Sequence, residues 1–359
     1  MSRQPSCQDR RENPGKRDPE WITGWVESGA GLVPRVSTRL SLEDTLGMVG
    51  VRLGIGRFTY RVPPGLYAVG SPGRSSPVVI TANYKMTFDL LRRQIDGRDT
   101  WVVVLDTYGI NVWCAAGKGT FGTAEVVRRL AAVRLPEVVD HRTIILPQLG
   151  APGVAAHEVR RRSGFEVVYG PVRAADLGRF LERDMKADPG MRRVRFGFLD
   201  RLVLVPVELL GSWTVLAAGV LLAFIMRRFG GGHVPAGAFR PGIRDLMLAA
   251  ASAVVAGSVA VPIALPWIPG RAFSLKGWIA GLLVSAGLCA TWVTRHGATG
   301  AGTVAATLLI WPAASAYIAL NFTGATPVTS FSGVKREMRI ALPTLACSVV
   351  AGLAFWFLL

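Results

Sequence analysis

From Pro77 onward, short apolar runs alternate with stretches whose apolar residues recur every three or four positions. Residues 78–80, 101–105, 143–146 and 165–169 read as buried strands. Residues 86–95, with Phe88, Leu91 and Ile95 on one face, read as a helix, as do 123–133, 154–162 and 174–185. Thr123 suits the cap of its helix, with Glu125 in the first turn, and Gly164 suits the position that ends one. Strands alternating with helices predict a parallel sheet with helices on its faces, an α/β Rossmann-like domain. The loops after the four strands, 81–83, 106–111, 147–152 and 170–171, then share one edge, where open α/β sheets bind ligands.

The pattern is weaker before this region and changes after it. Residues 1–50 read as an N-terminal tail, disordered over the first twenty, with Trp21 and Trp25 spaced for one short helix. Residues 53–69 alternate around Pro63-Pro64-Gly65 and suggest a hairpin. The α/β domain is expected over 51–190, a basic linker over 191–201, and an all-α transmembrane domain over 202–359. Five spans are predicted there, at 202–226, 243–265, 277–294, 300–320 and 340–359, each near the ~20 residues that cross a bilayer. Glu208 is the only acid well inside a span, two turns in, which suits an interfacial role.

Composition agrees with a soluble domain joined to membrane helices. Half of the 359 residues are hydrophobic and the mean hydropathy is +0.35. The net charge is +17, and ten Lys and Arg against three Asp and Glu lie beyond residue 201. This charge is spread along the chain and borders apolar spans, so anionic lipid is the expected partner and nucleic acid is not. Arg192, Arg193, Arg195 and Arg201 before the first span predict a cytoplasmic N-terminal domain on the inner membrane. The loop carrying Arg227, Arg228, Arg240 and Arg244 dissents; Arg271 and Lys276, Arg295, then Lys335, Arg336 and Arg339 agree.

The four cysteines (Cys7, Cys114, Cys289, Cys347) form no C-x-x-C pair, which speaks against a zinc site, an iron–sulfur cluster or a disulfide framework in this chain. Cys289 and Cys347 fall inside apolar spans and read as core residues. His141, His157, His233 and His296 show no metal spacing, and His157 is expected in solvent. Gly117-Lys118 is followed by Gly119 and lacks the earlier glycine of a P-loop. No hydrolytic triad is evident.

One segment stands out chemically: Asn111-Val112-Trp113-Cys114-Ala115-Ala116-Gly117-Lys118, just past the second of these strands. The helix start and Lys118 put positive potential beside the sulfur, and the small Ala pair would let a flat partner lie close. A buried structural cysteine is the plain alternative. The octapeptide resembles, position for position, the N-(V/I)-W-C-A-(A/G)-G-K signature of the corrinoid protein family of microbial mercury methylation. Residues 81–86, 117–123 and 146–153 are similar to it too. The resemblance runs from about Gly54 through the membrane part, leaves the first fifty or so residues uncovered, and extends to the corrinoid domain of the acetyl-CoA pathway corrinoid iron–sulfur protein.

The resemblance implies a corrinoid cofactor with Cys114 as lower axial ligand of cobalt. Asn111, Val112, Trp113, Ala115, Ala116, Gly117 and Lys118 would form the cap helix. Thr81, Asn83, Gln148, Gly150 and Ala151 are candidates for touching the corrin and its tail. The D-x-H-x-x-G motif that supplies a histidine ligand is absent, so the ligand must come from elsewhere. A soft anionic donor pushes charge onto the metal, as thiolate does for haem iron, and makes a bound methyl group more carbanion-like, which suits Hg(II) as acceptor. The resemblance further implies a methyltetrahydrofolate-type donor or its methyltransferase, and a ferredoxin-like reductant with two [4Fe-4S] clusters. Two other readings stay open. One is a corrinoid methyl carrier in one-carbon metabolism. The other is a transporter or membrane scaffold, which the scarcity of polar residues within the spans disfavours.

Overall fold

The structure, a computed structural model, describes residues 18–229, 238–323 and 331–358; Cys7 and His233 lie outside them. The chain forms two compact units, an α/β unit reaching to Arg195 and a helical unit from Phe196.

Seven strands form one sheet: β1 (Ile22–Ser28), β2 (Gly31–Val36), β3 (Gly65–Val69), β4 (Val78–Ala82), β5 (Thr100–Leu105), β6 (Thr143–Leu146) and β7 (Glu166–Tyr169), in the order β1-β2-β3-β5-β4-β6-β7. β5, β4, β6 and β7 are mutually parallel, and these are the four strands expected from the pattern. The apolar runs of β4, β5 and β6 reflect burial on both faces, whereas β7, at the sheet edge, is half-buried with Glu166 exposed. On β5, Trp101, Val103 and Leu105 enter one core while Val102 and Val104 enter the other.

The sheet is nevertheless mixed: β1 and β2 were not foreseen as strands, and β3, expected as one arm of a hairpin, pairs elsewhere. β3 lies antiparallel against β5, all five of its residues buried, and β2 runs parallel to β3. The expected hairpin around Pro63-Pro64-Gly65 is therefore absent, since β3 pairs with the distant β5, Gly65 opposite Val104, rather than with its neighbour. The expected short helix at Trp21 and Trp25 is instead β1, paired with β2 across a turn in which Gly31 takes φ 108°. Trp21 packs on Tyr67 and Phe88 at ring distances of 5.8 and 5.5 Å.

The helices of this unit are α1 (Leu42–Arg52), α2 (Lys85–Gln94), α3 (Val112–Lys118), α4 (Thr123–Ala132), α5 (Leu135–Val138), α6 (Ala156–Ser163) and α7 (Leu177–Glu182). Gly164 ends α6 at φ 77°, as expected. Thr123 does not cap α4. Gly122 holds that position, and the Thr123 hydroxyl accepts from Ala155 N at 2.9 Å. The last predicted helix is shorter than 174–185, because Asp184 and Met185 take positive φ.

A buried ion cluster binds the N-terminal segment to α2. Asp44, Lys85, Asp89 and Arg92 are each at most 9% exposed. Lys85 donates to Asp44 and, at 2.8 Å, to Asp89; Arg92 donates to Asp89 at 2.8 Å and to Asp44 at 2.6 Å. Arg92 also donates to the carbonyls of Ser37 and Arg39. Two acids and two bases leave the cluster neutral, which is what makes its burial tolerable. Burial pushes the Asp44 carboxyl up, but hydrogen bonds from Lys85 and the Ser41 backbone, with the Lys85 and Arg92 charges, outweigh it and bring its pKa down to about 2.

The helical unit comprises α8 (Phe198–Leu202), α9 (Val205–Gly211), α10 (Trp213–Phe229), α11 (Ile243–Ala264), α12 (Phe273–His296), α13 (Ala301–Phe322) and α14 (Phe331–Leu358). Among the described residues α11 to α14 are long and apolar enough to cross a membrane, making four candidates, or five if the pair from Phe198 to Phe229, bent by 47°, is one span. Small residues let α12 and α13 approach closely. A Cβ on Gly277 would lie 2.5 Å from that of Ala319, and the Ser315 hydroxyl donates to Gly277 O at 2.8 Å. Cys289 is buried as expected, whereas Cys347 is exposed on α14.

Candidate functional site

The site is built at the C-terminal edge of the parallel strands, around α3. β5 ends at Leu105, and the next residues are organised by one buried side chain. Asn83, 1% exposed, accepts with its Oδ1 from Thr107 N at 3.1 Å, Thr107 Oγ1 at 2.8 Å and Gly109 N at 3.0 Å. Its Nδ2 donates to Asp106 at 3.1 Å. These bonds hold Tyr108 at φ 57°, a conformation uncommon for a residue with a side chain, with its ring exposed. Glu125 on α4 accepts from Asp106 N at 2.9 Å and so ties this loop to the next helix.

α3 starts where Asn111 Oδ1 accepts from Cys114 N at 2.9 Å, an N-cap. It stops at Gly119, φ 80°, whose N–H returns to Ala116 O at 3.2 Å. At seven residues it is too short to persist unaided in water. Two glycines supply the support. A Cβ on Gly153 would meet Phe121 O at 2.2 Å and Ala116 Cα at 3.0 Å, and one on Gly150 would meet the Phe121 ring at 2.5 Å. The loop after β6 is thereby packed directly against the cap helix.

This packing corrects one expectation. Ala115 and Ala116 do not face an external partner; they are buried in the core beneath α3. They are small because Gly153 and Phe121 press on them. The outer face consists of Trp113 and Cys114, both half-buried, with Gly117 and Lys118 exposed one turn on. A Cβ on Gly117 would meet nothing within 4 Å, so the space beside the sulfur is open.

Next to the cap start lies a cavity of about 320 Å³ between α2, α7 and the strand ends, with a mainly apolar lining. Thr81, Asn111, Val112 and Trp113, four of the candidate residues, line it. The other predicted contacts do not: Asn83 is committed to its own loop, Gly150 packs on Phe121, Gln148 accepts from Arg192 at 3.0 Å, and Ala151 only follows the Gln148–Gly150 turn. Sequence reasoning missed Met86, Leu90, Leu149 and Leu177, whose apolar side chains close the cavity. Their signal was present only as the apolar face of each helix. Among the described residues no group of three or more His, Cys, Asp or Glu is placed to hold a metal ion.

With this geometry in view, the likeness to known proteins is informative. The family described as CO dehydrogenase/acetyl-CoA synthase delta subunit matches residues 56–181. The acetyl-CoA decarbonylase/synthase complex subunit gamma of Methanopyrus kandleri is 29% identical over 125 residues, 34% of this chain and 27% of that protein. The same subunit of Methanosarcina acetivorans is 31% identical over 128 residues, 34% of this chain and 27% of its own length. The corrinoid/iron-sulfur protein large subunit of Moorella thermoacetica is 27% identical over 127 residues, 35% of this chain and 28% of that protein. Over this stretch the chain is thus similar to subunits of the acetyl-CoA decarbonylase/synthase complex and to a corrinoid/iron-sulfur protein. The chain spans about a quarter of the length of these relatives. The family match takes in β3 to β7 and α3, and ends before the helical unit.

Proposed function

We propose that the chain is a membrane-anchored corrinoid protein of methyl transfer, in which Cys114 would hold the cobalt and Hg(II) would be the methyl acceptor. One observation carries the reading. The sulfur stands half-exposed on the outer face of a helix fixed at both ends, at the ligand-binding edge of the sheet, with open space over Gly117 beside it. The residues fit a corrinoid. The apolar cavity suits a flat aromatic base released from the metal, and Thr81 and Asn111 on its wall suit the polar link that follows such a base. When bound, the corrinoid supplies a cobalt centre that accepts and releases a methyl group.

The chain's own residues position and shape. Asn111 sets the direction of Cys114 by holding its backbone N–H. Asn83 fixes the loop that delivers Asn111. Trp113 screens the cavity from solvent, while Gly117 leaves the approach clear. A soft sulfur donor favours transfer of the methyl group to a soft electrophile, the argument for Hg(II). The α/β unit is then cytoplasmic, the helical unit is an anchor, a methyltetrahydrofolate-type donor loads the methyl group, and a ferredoxin-like partner with two [4Fe-4S] clusters supplies electrons.

A second reading is a methyl carrier in acetyl-CoA-type one-carbon metabolism, favoured by the names of the relatives. The deciding experiment measures methylmercury formed by cells carrying the wild-type chain, Cys114→Ala or Cys114→His. The proposal expects none from Ala and a loss of orders of magnitude from His, with corrinoid partly retained in His. Full activity of the Ala variant removes Cys114 from the chemistry. A wild-type chain that binds corrinoid and forms no methylmercury leaves the one-carbon reading standing.

A further inference from the structure

A groove of about 1020 Å³ runs between α12 and α14, well away in sequence from the Cys114 site. Its polarity is graded. At one end stand Arg271 and Arg336, with Ser274 and Glu337 between them. Glu337 Oε1 accepts from Ser274 N at 2.7 Å and Ser274 Oγ at 2.8 Å, so this carboxylate is tied to the start of α12. Among the described residues neither Arg271 nor Arg336 has an ion-pair partner, and two guanidiniums against one engaged carboxylate leave the mouth positive.

Away from the mouth the lining turns apolar. On α14, Arg336, Ile340 and Thr344 recur every fourth residue beside Glu337, Ala341 and Leu345. That stripe continues for about 13 Å at ~1.5 Å per residue. The opposite wall is Leu275 and Trp278 of α12. Leu275 and Ile340 are 45% and 64% exposed, as suits side chains covered by hydrocarbon rather than water. A cationic, hydrogen-bonding mouth that continues into an apolar trough between two span-length helices complements one kind of molecule, an amphiphile with an anionic head and an acyl chain.

We propose that this groove binds an anionic phospholipid of the surrounding bilayer. Arg271 and Arg336 hold the phosphate, and an acyl chain lies along Leu275, Trp278 and Ile340. Both arginines are exposed, so replacing them leaves the packing intact.

The test uses the full chain, purified in neutral detergent, delipidated and titrated with phosphatidylglycerol, with phosphatidylcholine of the same acyl chains, or with soluble glycerol 3-phosphate. Bound lipid is read by native mass spectrometry. The expected result is one retained phosphatidylglycerol per chain, bound at least tenfold more tightly than phosphatidylcholine, with no competition from glycerol 3-phosphate. In Arg271→Gln/Arg336→Gln the preference disappears, whereas Arg295→Gln, at the other end of α12, retains it. Ile340→Trp keeps both charges but fills the trough, and it lowers retention of either lipid. Equal binding of the two lipids by the wild type, an unchanged preference in the double arginine variant, or displacement by glycerol 3-phosphate overturns the proposal.

Discussion

If the outer face of α3 receives the corrin ring, Gly117 is the residue whose change separates folding from binding. Its backbone is helical and a Cβ there touches nothing within 4 Å. Gly117→Ala therefore removes a helix-disfavouring residue without a clash, which is worth about 0.5–1 kcal/mol to the fold. For a unit of this size that raises the melting temperature by roughly 2 °C. Corrinoid retention should move the other way, because any side chain at this position fills the space beside the sulfur. Gly117→Leu makes the contrast larger: an undiminished melting temperature, with bound corrinoid per protein at least tenfold lower. Ala115→Leu is the opposing control. Ala115 is fully buried, so its enlargement should cost about 1–3 kcal/mol by overpacking whether or not corrinoid is present. The measurements are corrinoid absorbance per protein after purification and a thermal melt of residues 18–195, which contain the whole sheet and both of its cores. A shorter piece beginning at Pro77 would lack β3 and expose one edge of β5. Stoichiometric corrinoid with an unchanged spectrum in Gly117→Leu would show that the ring does not lie over this face.

Lys85→Met should destabilise the α/β unit by about 3–5 kcal/mol, because it leaves Asp44 and Asp89 buried with only Arg92 to balance them; a loss below ~1 kcal/mol in a urea melt would refute the role given to the cluster. The folded-state pKa of Asp44 lies below its ordinary value of 3.8, so its contribution is complete above about pH 4 and is lost as pH falls through about 2; acid melts of the wild type and Asp44→Asn should diverge above this window and converge below it. Cys289→Ala and Cys347→Ala should leave methyl transfer unchanged, since both thiols lie in the helical unit, and loss of activity in corrinoid-loaded protein would contradict this. With five crossings the α/β unit and the C-terminus lie on opposite sides of the membrane, and reporter fusions placing them on the same side would exclude the bent pair as a span.

β4, β5 and β6 were legible because burial on both faces leaves an apolar run, β7 by its short Val-Val-Tyr stretch although it is only half-buried at the edge, and the break after β5 located α3. The N-terminal strands were not. β1 and β2 mix exposed, half-buried and buried positions without a clean apolar run, with Gly24 inside β1 and Gly31 opening β2, and β3 takes its partner from a distant part of the chain, which no local pattern encodes. Lys85, Asp89 and Arg92 on α2 look like an ordinary solvated stripe at helical spacing. Only Asp44, arriving from 41 residues earlier, shows why they are inside. At the site, the N-cap role of Asn111 came from the structure, whereas the place of Cys114 just past a strand end could be read directly. Whether the alanines or Gly117 faced outward could not, because that depends on where Gly153 lands. Asn83 was noticed for its place at a strand end, but its loop-building role needs the three-dimensional course of residues 106–109.

The two fixed ends of α3 bear on the history of the molecule between synthesis and first turnover. A seven-residue helix that ordered only on meeting its ligand would charge that ordering against affinity. Here Asn111 and Gly119 set the ends, and the loop at Gly153 sets the height, as part of folding itself. If α3 receives a corrinoid as proposed, its sulfur is already presented before the cofactor arrives, and binding does not have to order the helix first. Such a fixed surface would also be hard to adjust, so any rearrangement needed to admit or release a ligand would fall to exposed side chains such as the Tyr108 ring, just before α3 in sequence, and Lys118 at its end.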